Sequence, residues 1–66
     1  MNVLVNEQRI ECEAGLTVAA LLSRLEQDNP GVALALNQQI LPRTRWANHS
    51  LQEGDALLLF QVIAGG

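Results

Sequence analysis

The sequence predicts an α+β domain in which one main helix covers one face of a four- to five-stranded sheet. Three observations lead there. Short alternating apolar runs at residues 3–12, 32–36 and 56–63 have the period of two expected of strands. A single stretch, Val18, Leu21, Leu22 and Leu25, has the i, i+3, i+4, i+7 spacing of one helical face. The chain has 66 residues, enough for one domain but near the lower limit for a single hydrophobic core, since a chain this size buries only about 60% of its unfolded surface.

Taken in order, Val3 and Val5 alternate with polar or opposite-face neighbours, Asn6-Glu7-Gln8 supplies a turn, and Ile10 and Cys12 alternate with Arg9, Glu11 and Glu13. This pattern predicts a β-hairpin. Thr17 is a good N-cap for the helix that follows, and Asn29-Pro30-Gly31 is expected to stop it. In "VALALN", Val32, Leu34 and Leu36 share one strand face, with the small Ala33 and Ala35 opposite, where another element can approach closely. "QQILPRTRWANHSLQEGD" is punctuated by Pro42 and by Glu53-Gly54-Asp55, and predicts a short strand, an irregular crossover with room for one helical turn, and a tight turn. The final strand is expected from about Ala56 to Ile63, within a domain spanning residues 1–63 and followed by a tail of residues 64–66.

That last strand is apolar on both faces, the pattern of a strand covered on both sides. A helix of about eleven residues, about 10 to 12 Å across with its side chains, covers only one face of a sheet. Leu57 and Leu59 are therefore expected under the helix, and Leu58, Phe60 and Val62 on an exposed side suited to a partner. The alternative is that loop residues, Trp46 among them, cover Phe60 internally.

Composition narrows the chemistry. The chain is 48% apolar with a net charge of −3, and its four cationic residues are all Arg, at Arg9, Arg24, Arg43 and Arg45. They form no basic stripe, so nucleic acid is not an expected partner. Two readings fit the absence of lysine: sampling in a short chain, or avoidance of side-chain amines that an activated C-terminal acyl group would acylate. No apolar run approaches the roughly 20 residues that cross a bilayer, and the N-terminus lacks a basic leader pattern, so the chain is placed in the cytosol with no membrane partner. The lone Cys12 excludes an internal disulfide and lies on the apolar parity of its strand, where it reads as a small buried hydrophobe. His49, in the polar "ANHS", reads as a solvated loop residue. No triad, metal set or phosphate loop can be assembled, so neither catalysis nor a bound cofactor is expected of this chain.

The remaining feature is the end, "FQVIAGG". Ala64, Gly65 and Gly66 are nearly without side chains and reach roughly 10 Å when fully extended. A tail so slim can enter a narrow tunnel in an enzyme and present a carboxylate there. That carboxylate, with a pKa of about 3.3 to 3.7, is ionised at neutral pH and a poor electrophile until activated, the usual activation being attack on the α-phosphate of ATP.

Through "VNEQ", "TVAALL", "ALALNQQILPR" followed by Trp46, and "EGDALLLFQVIAGG", the whole chain resembles the sulfur carriers of thiamine thiazole biosynthesis, a ubiquitin-like β-grasp family. The resemblance implies a mixed sheet. It also implies that Gly66 is adenylated by an E1-like adenylyltransferase that consumes ATP, is converted to a thiocarboxylate with sulfur from a cysteine desulfurase or sulfurtransferase system, and donates that sulfur to thiazole synthase. Carried over by position, Gly65 and Gly66 are the functional residues, with Phe60, Val62 and Ala64 leading into the partner. A molybdopterin synthase small subunit-like carrier, a ubiquitin-like modifier joined through Gly66, and a non-covalent β-grasp interaction module remain as alternatives.

Overall fold

The computed structural model describes residues 1–61. The expectations placed on Val62, Ala64, Gly65 and Gly66, and the boundary expected after residue 63, lie outside the described residues. The elements in chain order are β1 (Asn2–Val5), β2 (Gln8–Glu11), α1 (Val18–Arg24), β3 (Val32–Leu36), β4 (Gln39–Ile40), a 3₁₀ helix (Arg43–Asn48) and β5 (Ala56–Gln61). The five strands form one mixed sheet in the order β2-β1-β5-β3-β4. β5 runs parallel to β1 and antiparallel to β3, and with α1 packed on one face the arrangement is a β-grasp.

Both hairpins close through two-residue loops with left-handed backbone at both positions. Asn6 and Glu7 have φ of 50° and 67°, and Asn37 and Gln38 have φ of 49° and 73°. Such loops match the right-handed twist of the flanking strands, and asparagine tolerates the left-handed region better than most residues. Because Val5 pairs with Gln8, the first loop is Asn6-Glu7 alone and Gln8 already belongs to β2.

The helix begins as expected and ends sooner. The Thr17 hydroxyl accepts a hydrogen bond from the Ala20 N–H at 3.1 Å, capping the first turn. At seven residues, Val18–Arg24, α1 is shorter than the eleven or so anticipated, and Asn29-Pro30-Gly31 is not what stops it. The stop lies at Leu25 and Glu26. Glu26 takes a φ of 58°, its N–H donates to the Ser23 carbonyl at 3.1 Å, and the Gln27 N–H donates to the Leu22 carbonyl at 2.8 Å. These are the two bonds of a Schellman motif, formed with glutamate where glycine is usual. Leu25 therefore packs against the core from the cap rather than from the helix body.

A helix this short is not stable by itself in water, so packing must hold it. Val18, Leu21 and Leu22 are fully buried against Val3, Leu34 and Leu57 of the sheet, and Trp46 and Leu51 close the side of the core. Trp46 Nε1 donates to the Leu41 carbonyl at 2.9 Å, and the Arg43 guanidinium lies over the indole at 4.4 Å while donating to the Asn29 and Val32 carbonyls. Trp46 is thus a core residue on the helix side of the sheet and does not cover Phe60, which is exposed. Cys12 is buried, as its parity predicts. Glu13 and Arg24 form a two-pronged ion pair at 2.7 and 3.0 Å, and the hydrogen bonds from Arg24 hold the Glu13 carboxyl down at about 2. Both side chains are largely exposed, so the pair contributes little to stability.

The left-handed Glu26 yields a direct test. Glu26→Gly relieves the steric cost of a side chain in that region and is expected to stabilise the domain by about 0.5–1 kcal/mol, raising the midpoint of thermal unfolding by a few degrees. An unchanged or lower midpoint contradicts this account of how the helix ends.

Candidate functional site

The strand leading to the C-terminus separates its two faces by parity. Leu57 is buried and Leu59 is half-buried against the core, whereas Leu58 and Phe60 are 53% and 39% exposed on the other face. Register assembles that face. Leu58 lies opposite Ala35, which lies opposite Ile40 on its other side, and Phe60 lies opposite Ala33. The two alanines keep the middle of the face low between larger neighbours. Ile40 is 65% exposed, and Leu4, whose backbone partner on β5 is Ala56, is 40% exposed. The result is a continuous apolar surface on the face away from α1, and exposed apolar surface of this kind marks an interaction site.

Of the residues singled out from the sequence, Leu58 and Phe60 lie side by side on this surface. Val62, Ala64, Gly65 and Gly66 are outside the described residues. Leu4 and Ile40 were missed. The parity of Leu4, opposite to Val3 and Val5, marked its face, but its proximity to β5 depends on a pairing between strands more than 50 residues apart in sequence. Ile40 required the register of the β3–β4 hairpin.

β5 itself is held by hydrogen bonds from both hairpin loops. The Asn37 N–H donates to the Ala56 carbonyl at 2.8 Å, and Asn37 Oδ1 accepts from the Ala56 N–H at 3.0 Å. Toward the other end, the Asn6 N–H donates to the Leu57 carbonyl at 2.9 Å, and Asn6 Oδ1 accepts from the Leu59 N–H at 2.8 Å. Sequence reasoning took Asn6 as a turn residue only and assigned no role to Asn37.

The chemistry available in the described residues is sparse. A cleft of about 290 Å³ opens where α1 stops short, between Leu25 and the end of β5, and no titratable side chain lines it. No group of three potential metal-ligating side chains comes together among the described residues. His49 uses its carbonyl to accept the Val18 N–H at 3.0 Å, a structural bond. The two residues with displaced pKa values, Glu13 and Arg24, displace each other. No helix among the described residues is long and apolar enough to cross a membrane.

Against this geometry, similarity to known proteins is decisive. Residues 3–66 match the ThiS family. The chain belongs to the ThiS family. It is 58% identical to the sulfur carrier protein ThiS of Escherichia coli, over the full length of both chains. It is also 33% identical to a stretch making up 20% of a thiazole synthase of Paramagnetospirillum magneticum. The crystal structure of the thiamine biosynthesis protein ThiS from Geobacter metallireducens superposes with a TM-score of 0.87 at 29% identity, all of each chain being covered. The solution structure of that organism's thiamine biosynthesis protein gives a TM-score of 0.75, with 88% of that chain covered. As a ThiS protein, the chain is a sulfur carrier of thiamine biosynthesis, a small carrier and not a catalyst.

The parity of β5 is open to direct test. Phe60→Asp makes no core void and is expected to change stability by less than about 1 kcal/mol, whereas Leu59→Asp puts a charge against the core and is expected to cost about 2 kcal/mol or more. Chemical denaturation of the two variants checks this. The reverse ranking would invert the assignment of faces.

Proposed function

We propose that the chain carries sulfur as a thiocarboxylate on Gly66. The ionised carboxylate attacks the α-phosphorus of ATP in an E1-like adenylyltransferase, releasing pyrophosphate and leaving an acyl-adenylate. The terminal sulfur of a persulfide from a cysteine desulfurase or sulfurtransferase system then displaces AMP to form an acyl disulfide, and a thiolate cleaves its S–S bond reductively, leaving the thiocarboxylate on Gly66 and a disulfide on the donor. The thiocarboxylate delivers that sulfur to thiazole synthase for the thiazole ring of thiamine. The ATP is bound and consumed by the partner, and the carrier holds no cofactor of its own. These steps place the protein in the cytosol.

The observation that carries this reading is membership of the sulfur-carrier family, with the alignment to the E. coli carrier running through Gly66 at the end of both chains. A stretch resembling this chain within a protein named thiazole synthase supports that enzyme as the sulfur acceptor. The exposed Leu58 and Phe60 supply the start of an apolar docking surface, Val62 is assigned to the same partner contact by the chain's resemblance to the family, and Ala64 and Gly65 carry side chains small enough for a narrow tunnel in the partner. Buried aromatic anchors at such surfaces commonly contribute more than about 1 kcal/mol to binding, a role assigned to Phe60.

The test is ATP-dependent activation, followed by pyrophosphate exchange. Deleting Gly66, adding one residue after it, or making Gly65→Val is expected to reduce activation by about 100-fold or more, since even small displacements of a reacting group have effects of that size. The thermal midpoint of each variant is expected to stay close to the parent's. Normal activation of the extended chain would remove Gly66 from its assigned role.

A further inference from the structure

We propose that Asn6 is a positioning residue for the reaction at the C-terminus. Its side-chain carbonyl stands in for a strand that has ended, and so fixes the direction of β5 at its C-terminal end. The inference rests on Gly66 being the reacting end.

The backbone pairing of β1 with β5 consists of Leu4↔Ala56 and Val5↔Leu57, after which β1 turns away into the Asn6-Glu7 loop. On its other side β5 stays paired with β3 as far as Val32↔Gln61. The exit end of the strand thus has a full ladder on one side and no strand on the other. A ribbon held along one edge twists and swings more freely than one held along both. Asn6 extends the second edge by one further step. Its N–H binds the Leu57 carbonyl and its Oδ1 binds the Leu59 N–H, so the bond that a next β1 residue would have made to β5 is made by a side chain instead.

Magnitude shows why this bond matters for the far end. Leu59 precedes Gly66 by seven residues. Seven residues span at most about 24 Å, so the direction of β5 at Leu59 decides the region that the terminus can reach. A displacement of about 1 Å at a reacting centre is enough to cost a large factor in rate. Loosening the strand end therefore lowers the fraction of docked carriers whose carboxylate sits at the nucleotide. The docking face is left unaltered.

Asn37 supplies the internal control. It makes the same kind of paired contact to β5 from the same position of a matching loop, but at Ala56, the end of the strand away from the terminus. Loss of either asparagine's acceptor weakens the fold; only loss of the Asn6 acceptor is expected to misdirect the tail.

The experiment measures steady-state activation by the adenylyltransferase of the same cell, with carrier as the varied substrate, together with amide hydrogen exchange at Leu59. Asn6→Gly keeps the left-handed loop and removes the acceptor, Asn6→Ser provides a second variant whose side chain is shorter, and Asn6→Asp retains an acceptor oxygen. The glycine and serine variants are expected to lower kcat about tenfold with KM within about twofold of the parent, and to accelerate Leu59 exchange, while Asn6→Asp restores both readouts. Asn37→Gly is expected to leave kcat unchanged. A purely structural role instead lowers the amount of folded carrier, which raises apparent KM and spares kcat at saturation. Parental kcat in Asn6→Gly despite accelerated Leu59 exchange overturns the proposal, as does an equal loss of kcat in Asn37→Gly. Failure of the parent chain itself to be activated overturns the role of Gly66, and this inference with it.

Discussion

The fold depends on β5. The β1–β2 hairpin and the β3–β4 hairpin meet in the sheet only through this strand, which lies between β1 and β3. Its pairings join residues 4–5 to 56–57 and residues 32–36 to 57–61, so the sheet closes only when the last described segment is in place. Contacts this distant in sequence are entropically costly to make, and the structure reinforces them with side-chain hydrogen bonds from Asn6 and Asn37. The strand on which the fold depends is also the last described element before the C-terminal residues to which the carrier chemistry is proposed to belong.

A division of labour follows from the size of the chain. One seven-residue helix covers the three central strands β1, β5 and β3 on one face of the sheet, with three fully buried side chains and support from Trp46 and Leu51. The opposite face has no covering element among the described residues, and it is apolar rather than charged along Leu4, Leu58, Phe60 and Ile40. The same strand therefore serves the core with Leu57 and Leu59 and leaves Leu58 and Phe60 exposed on the face to which partner docking is proposed.

Much of this was legible in local pattern. The alternation of "ALLLF" sorted Leu57 and Leu59 from Leu58 and Phe60, because a period of two is a property of any strand wherever it sits. Thr17 announced the start of the helix through the chemistry of its hydroxyl. The end of the helix was not legible, since glutamate is an uncommon occupant of a left-handed cap and Pro30 offered a more familiar stop. Nor was the central, parallel placement of β5: strand order is a non-local property, and only the mixed character of the sheet entered, as an implication of family resemblance. The contributions of Leu4, Ile40 and Asn6 all depend on that order. The chemistry was assigned to Gly65 and Gly66 from the sequence alone, and both lie outside the described residues.

The central claim is that this carrier holds sulfur covalently at Gly66. The most direct measurement is the mass of the C-terminal peptide of the protein isolated from its native cell while that cell is making thiamine. The peptide must be read rather than the whole chain, because oxidation of Met1 or Cys12 adds nearly the same mass as exchange of oxygen for sulfur. The account predicts a population in which one terminal oxygen of Gly66 is replaced by sulfur, and its return to the ordinary carboxylate when thiazole synthase and its substrates are added. A C-terminal peptide that carries only oxygen in such cells, with sulfur found instead on Cys12, would contradict it.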